Sequence, residues 1–389
     1  MIPFILIVFV IYGGFHLYAF RKIEGALHLA PATQVWLIVF LALMLLAPFL
    51  VRLGERYGFP ILSRILAYAG YSWMGVLFLF VCLSLLLDFC RLLFAVSGFF
   101  AQRDFTRLFL SVGHTFAISL VLSFGIAVYG WFEAQNIRQE TIAIRSSSIP
   151  AAPGKIRIVQ ISDVHLGVMA GEKRLEKITA IIRDAAPDIL ISTGDLIDGQ
   201  GDDFSRYMES FRKIEPRYGK FAITGNHEFY AGLDQSLSLL SSAGFKVLRG
   251  EGVTVAGLIN IAGVDDQVSQ GPPPYRENRE ETAFSGLPRG YFTVFLKHRP
   301  LVNKETLDKF DVQLSGHTHK GQIFPFCFVT GLFFPKQAGF YRLSVHSSLY
   351  VSRGTGTWGP PMRFLSPPEV TIIDLLHAEE TDKVMPPRP

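Results

Sequence analysis

Cysteine is scarce, with three in 389 residues. That excludes a disulfide framework and a Cys-rich zinc module. Cys82 and Cys90 would lie roughly 12 Å apart along one helix, too far to bridge, and Cys327 stands alone. Excess positive charge is also missing from most of the chain. Residues 1–132 hold 8 of the 37 Lys+Arg and 4 of the 33 Asp+Glu, so the remainder holds 29 of each. The formal +4 therefore belongs to the first third, and no basic folded domain is left to bind nucleic acid. With 49% hydrophobic residues and 34 Phe, the chain is neither disordered nor fibrous. It has no internal repeat.

Charge vanishes altogether from four stretches, 1–20, 25–51, 65–87 and 108–132. Each matches the ~20 apolar residues that a helix needs to cross a bilayer. Trp36, Tyr68, Trp73, Tyr129 and Trp131 sit toward their ends, where amphipathic rings favour the interface. Four transmembrane helices over 1–132 are expected, with the lipid bilayer as a partner. The Met1-Ile2-Pro3 start lacks the positive region of a cleaved signal. The segment 88–107 is expected to extend the third helix and then lie at the interface. Basic residues flanking the spans tie at five on each side, so they set no orientation. His16, His28 and His114 lie in or beside these helices, where helix-packing hydrogen bonds are the expected role.

Residues 133–154, ending in Ser146-Ser147-Ser148-Ile149-Pro150, read as a linker. From Lys155 short β-branched runs alternate with helical patterns. Strands are expected at Lys155–Ile161, Asp188–Ser192, Phe221–Thr224, Phe292–Leu296 and Val312–Leu314, and helices at Glu172–Ala185 and Leu233–Ala243. The layout is α/β, with a folded domain over 155–377 and a flexible tail over 378–389.

Polar clusters follow these strands: Asp163-Val-His165, Gly194-Asp195-Leu-Ile-Asp198, Gly225-Asn226-His227-Glu228, His298, and Gly316-His317-Thr-His319. Open α/β sheets place ligands at such strand ends. Seven histidines lie beyond residue 132, and five of them fall in these blocks. Carboxylate, imidazole and amide donors without thiolate suit Mn, Fe, Zn or Co better than a purely oxygen-ligated ion. The donor inventory exceeds the needs of one open site and fits two ions sharing a carboxylate, about 3.5–4 Å apart. Taken singly, Asp163 or Asp195 could be a helix cap and His298 a core histidine. Asp265 and Asp266 read as turn residues.

These five blocks, in this order, resemble the calcineurin-like metallophosphoesterase superfamily, and within it the bacterial membrane-associated phosphohydrolases. The resemblance runs from about Lys155 to Leu375 and implies a β-sheet sandwich flanked by helices. It assigns one metal to Asp163, His165, Asp195 and His319, and the second to Asp195, Asn226, His298 and His317. It also implies in-line attack on phosphorus by a hydroxide bridging the two ions. His227 resembles the family's non-ligand histidine, which contacts phosphate and protonates the leaving oxygen, with Asp198 and Glu228 as positioning or structural groups. The resemblance further implies hydrolysis of phosphodiester or pyrophosphate bonds, with a lipid-linked phosphate ester as one candidate substrate. It leans toward a bacterial cell membrane and an extracytoplasmic catalytic domain. Phosphomonoesters or phosphoproteins are alternative substrates, and a metal-binding sensor or scaffold without turnover is the rival class. The chain departs from the family pattern at Lys320, where glycine is common, and at Lys297 and Arg299 beside His298. Lys320 and Arg299 are candidate substrate contacts.

Overall fold

The computed structural model describes residues 2–169, 171–199, 204–267 and 279–379. Two compact units emerge, Met1–Phe132 with Gly359–Phe364, and Glu133–Trp358 with Leu365–Pro389.

The first unit begins with helices α1 (Ile2–Leu27), α2 (Pro31–Arg56) and α3 (Pro60–Ala101), and contains most of α4 (Val112–Gln135). Among the described residues three of these, α2, α3 and α4, are long and apolar enough to cross a membrane. The expected fourth span is not among them. From Phe9 onward α1 carries Arg21, Lys22 and Glu24, and Lys22 pairs with Asp88 of α3. Among the described residues three candidate spans thus stand where four were expected. As expected, α3 continues past its apolar run to Ala101 and ends in a short turn at Phe105–Leu108. His16 accepts from Trp73 Nε1 at 3.0 Å and bonds the Tyr12 carbonyl at 2.8 Å, a packing role. Glycine makes room for the 359–364 segment, since a Cβ on Gly75 would meet Met362 Sδ at 2.7 Å.

The second unit is built on two six-stranded sheets. In chain order its elements are β1 (Arg138–Ser146), β2 (Lys155–Ile161), α5 (Glu172–Asp184), β3 (Ile189–Ser192), α6 (Phe204–Arg212) and β4 (Lys220–Ala222). Next come α7 (Asn226–Ala231), α8 (Leu233–Ser242), β5 (Phe245–Val247), β6 (Glu251–Val255), β7 (Ile259–Gly263), α9 (Arg279–Phe284) and β8 (Phe292–Leu296). The last are β9 (Val312–Ser315), α10 (Cys327–Phe333), β10 (Gly339–Arg342), β11 (Ser348–Val351) and β12 (Glu369–His377). Strand orders are β1-β12-β2-β3-β4-β5 and β10-β11-β9-β8-β7-β6, both with mixed pairing. Ile156, Ile158, Ile189 and Ile191 of one sheet meet Ile259, Ile261, Val294 and Leu314 of the other in a shared apolar cluster. The outer face of the first sheet packs on Leu175, Ile178 and Ile182 of α5 and on Phe204, Met208 and Phe211 of α6. That is the expected helix-flanked α/β sandwich.

One boundary differs. Within the stretch expected to be a linker, Arg138–Ser146 forms β1 and pairs in parallel with β12 along its full length. As an edge strand it keeps Ile142 and Ile144 only half-buried, so its sequence carries a weak apolar signal. Residues 380–389 of the expected tail lie outside the described residues, while Ala378 is buried and bonded to Ser146.

Candidate metal centre

The central strands β2, β3 and β4 run parallel, as do β8 and β9 in the facing sheet. Each of the five polar blocks follows one of these strands, so the loops converge on one edge of the sandwich. Backbone bonds knit them together: Asp163 N–H donates to Gly194 O, His165 N–H to Asp195 O, and Gly316 N–H to His298 O. Gly354 to Gly356 wraps behind them, with Thr355 N–H on Ser162 O and Gly356 N–H on Asp163 O.

Three donor groups result, each with its ligating atoms within 4.8 Å of one another: Asp163/His165/His319, His165/Asp195/His227 and Asp195/His298/His317. His165 and Asp195 each belong to two groups. Nε2 of His165 lies 3.0 Å from Nε2 of His319, and His317 Nδ1 lies 3.2 Å from His298 Nε2. His298 Nδ1 bonds the Thr193 carbonyl at 2.8 Å, which turns its Nε2 toward Asp195 Oδ2 at 3.1 Å. Such outer bonds fix the tautomer of a ligating imidazole. Asn226 is buried, and its Oδ1 has no hydrogen-bond partner among the described residues. A buried amide oxygen without a partner is costly, and a divalent cation would satisfy it. The donor set fits a metal.

The backbone is strained where the donors sit. Asp163, His165, Asp195, His317 and His319 all have positive φ, between 47° and 69°. Each such residue costs about 1–3 kcal/mol and persists only where surrounding structure holds it. Glu228 supplies part of that hold. Its buried carboxylate accepts from the backbone N–H groups of Asp195, Leu196, Ile197 and Gly225 at 2.7–3.0 Å, locking the second and third loops together.

The protein's own charges set the local protonation. Burial raises the Asp163 carboxyl, whereas at Asp195 the neighbouring His298 and His227 outweigh burial and hold it well below the usual range. Burial opposes protonation of His227, yet Asp198 and Asp195 push it up to about 9. Asp198 Oδ1 lies 2.8 Å from His227 Nδ1 and orients the ring. Exposed Tyr230 and Trp358 stand beside that ring, at 5.5 and 6.1 Å between centroids.

The family model for calcineurin-like phosphoesterases matches residues 156–321, which contain all seven candidate ligands and His227. An uncharacterized metallophosphoesterase of Aquifex aeolicus is 38% identical over 253 residues, covering 64% of this chain and 96% of that protein. A second, from Campylobacter jejuni, is 31% identical over 379 residues, covering 96% and 98%. The chain belongs to the calcineurin-like metallophosphoesterases. A zebrafish relative, named a transmembrane protein with metallophosphoesterase domain, is 32% identical over 67% of this chain and 62% of its own length. Metal-dependent phosphoester hydrolysis is the class of chemistry that membership supports.

The remaining candidates of this metallophosphoesterase are placed unevenly. Lys320 is exposed beside His319, while the Arg299 guanidinium is engaged by Asp266 at 2.8 Å. Lys297 is buried against Glu280. Asp265 and Asp266 are buried ion-pair partners of Arg249 and Arg299 rather than free turn residues. Nothing in sequence marked these pairs, because the partners lie far apart along the chain. Trp358 sat in a Gly/Pro-rich stretch without periodicity and carried no signal either.

Proposed function

We propose that this protein is a bilayer-anchored, dinuclear-metal phosphoesterase acting on phosphodiester or pyrophosphate bonds. The observation that carries the reading is the overlap of the donor groups through His165 and Asp195, together with Asn226 Oδ1, which has no hydrogen-bond partner among the described residues. Asp163, His165, Asp195 and His319 would hold one ion, and Asp195, Asn226, His298 and His317 the other. Two bound divalent ions would supply an activated water and neutralise charge on phosphoryl oxygens. The three apolar helices supply the anchor. Tyr230 and Trp358, 56% and 53% exposed beside His227, suit a substrate with an organic group on the leaving oxygen. A lipid-linked ester is one such substrate. The test is hydrolysis of an aryl phosphodiester by the full chain with and without Mn²⁺. No metal-dependent turnover across a divalent panel would defeat the proposal.

His227 delivers a proton to the leaving oxygen, and Asp198 keeps it protonated and aimed. Protonated His227 is needed, so the rate falls as pH rises through its pKa. Removing the Asp198 charge lowers that pKa. Asp198→Asn is therefore expected to move the alkaline limb of the kcat/KM profile down by about 1–2 pH units. An unmoved limb would contradict this role.

Gly316 faces Ser162 Oγ and the Asp163 carboxylate, both of which an added Cβ would overlap. Gly316→Ala is expected to displace Asp163 and lower kcat/KM by roughly 10²-fold, with a cooperative melt retained. Lys320→Gly tests substrate choice: if exposed Lys320 contacts a phosphate oxygen, the ranking of kcat/KM across a substrate panel changes. An unchanged ranking removes Lys320 from the site.

A further inference from the structure

The β9–β10 connection holds a cluster of exposed apolar side chains. Helix α10 has no buried residue. Phe324, Phe326, Phe328, Val329, Leu332 and Phe333 are all exposed, Leu332 at 80%. The segment is nevertheless firmly held. Ile323 is buried at its base, the Gln322 amide donates from Nε2 to Trp358 O at 2.8 Å and accepts at Oε1 from Trp358 N–H at 2.9 Å, and Thr318 Oγ1 donates to Gln337 O at 2.6 Å. A Cβ on Gly321 (φ +74°) would collide with the Cys327 backbone, so the turn into α10 admits only glycine. Phe334 closes the segment against His317, with ring centroids 5.0 Å apart. Six exposed apolar side chains on a braced scaffold, next to a candidate ligand, mark a surface that something else covers.

Charge indicates what covers it. From Val312 to Pro368 the chain has no Asp or Glu and five Lys or Arg. Lys320 and Lys336 bracket the apolar run on its two sides in sequence. Phe and Leu with flanking Lys and no acid is the composition of elements that lie in the headgroup region of anionic membranes. The chain's own apolar helices tether this surface to a bilayer at high effective concentration.

We infer that Phe324–Phe333 docks into the interfacial layer of an anionic phospholipid bilayer, setting His317 and the adjoining centre at headgroup level. The inference rests on the bilayer-anchored part of the proposed function and is independent of the chemistry at the centre.

The test uses the full chain with Cys82, Cys90 and Cys327 replaced by alanine. Leu332→Cys carries an environment-sensitive fluorophore, and Lys213→Cys, just past the end of α6, carries the same label as a control. Both are reconstituted into phosphatidylcholine vesicles with and without phosphatidylglycerol. Spin-labelled lipid should quench the Leu332 label severalfold more than the Lys213 label, and more strongly when phosphatidylglycerol is present. Lys336→Glu should remove that lipid dependence. Equal quenching at the two positions overturns the docking. A label shielded from water yet unquenched by lipid shows a second copy or another protein on the surface, and overturns it too. Protein that fails to float with the vesicles defeats the anchoring itself, which separates the two readings.

Discussion

Asp195→Ala is expected to lose both metal equivalents and to lower kcat/KM by about 10³-fold or more. Asp195 is the carboxylate shared by two donor groups, with His165 at 4.0 Å on one side and His298 at 3.1 Å on the other. No other carboxylate among the described residues is placed to replace it in both. Its Oδ1 also accepts the His227 backbone N–H at 2.8 Å, so part of the loss could come from loop movement. Asp195→Asn keeps that acceptor while removing the charge. If the asparagine variant melts cooperatively and still lacks metal, the loss belongs to the ligand. Two retained metal equivalents with normal kcat would contradict the assignment.

His227→Ala is expected to behave oppositely, keeping its metals while kcat falls by about 10²–10³-fold. The geometry makes this a real choice, because His227 also lies within one of the three donor groups. Its Nδ1 is already committed to Asp198 at 2.8 Å, which favours a proton-handling role over ligation. Metal analysis beside single-turnover rates decides it. Loss of one metal equivalent in the variant would move His227 into the ligand set.

The centre was legible because the chemistry dictates residue types. Carboxylate, imidazole and amide donors placed after β-branched strands leave few other readings, and six of the seven candidates fall in the three overlapping donor groups. The sequence marks Glu228 as a supporting group, but its four backbone donors come together only when the second and third loops fold against each other. Strands β2 and β8 have the limits expected of them, since each is a short β-branched run closed by a polar block. Strand β1 was hidden because its apolar residues alternate weakly and its partner, β12, is at the other end of the chain. The count of membrane spans failed for a local reason. The uncharged run at the start looked sufficient by itself, whereas the described part of α1 includes Arg21, Lys22 and Glu24. Helix α10 is not legible in the sequence because a short apolar run does not distinguish a core strand from an exposed helix.

The most direct measurement is an anomalous-scattering map of crystals of the full chain grown with Mn²⁺. Two peaks per chain are expected, each within about 2.0–2.4 Å of its donors. One should touch Asp163, His165 and His319, the other Asn226, His298 and His317, with Asp195 reaching both. Absent peaks, or peaks bound elsewhere on the chain, would contradict the dinuclear centre.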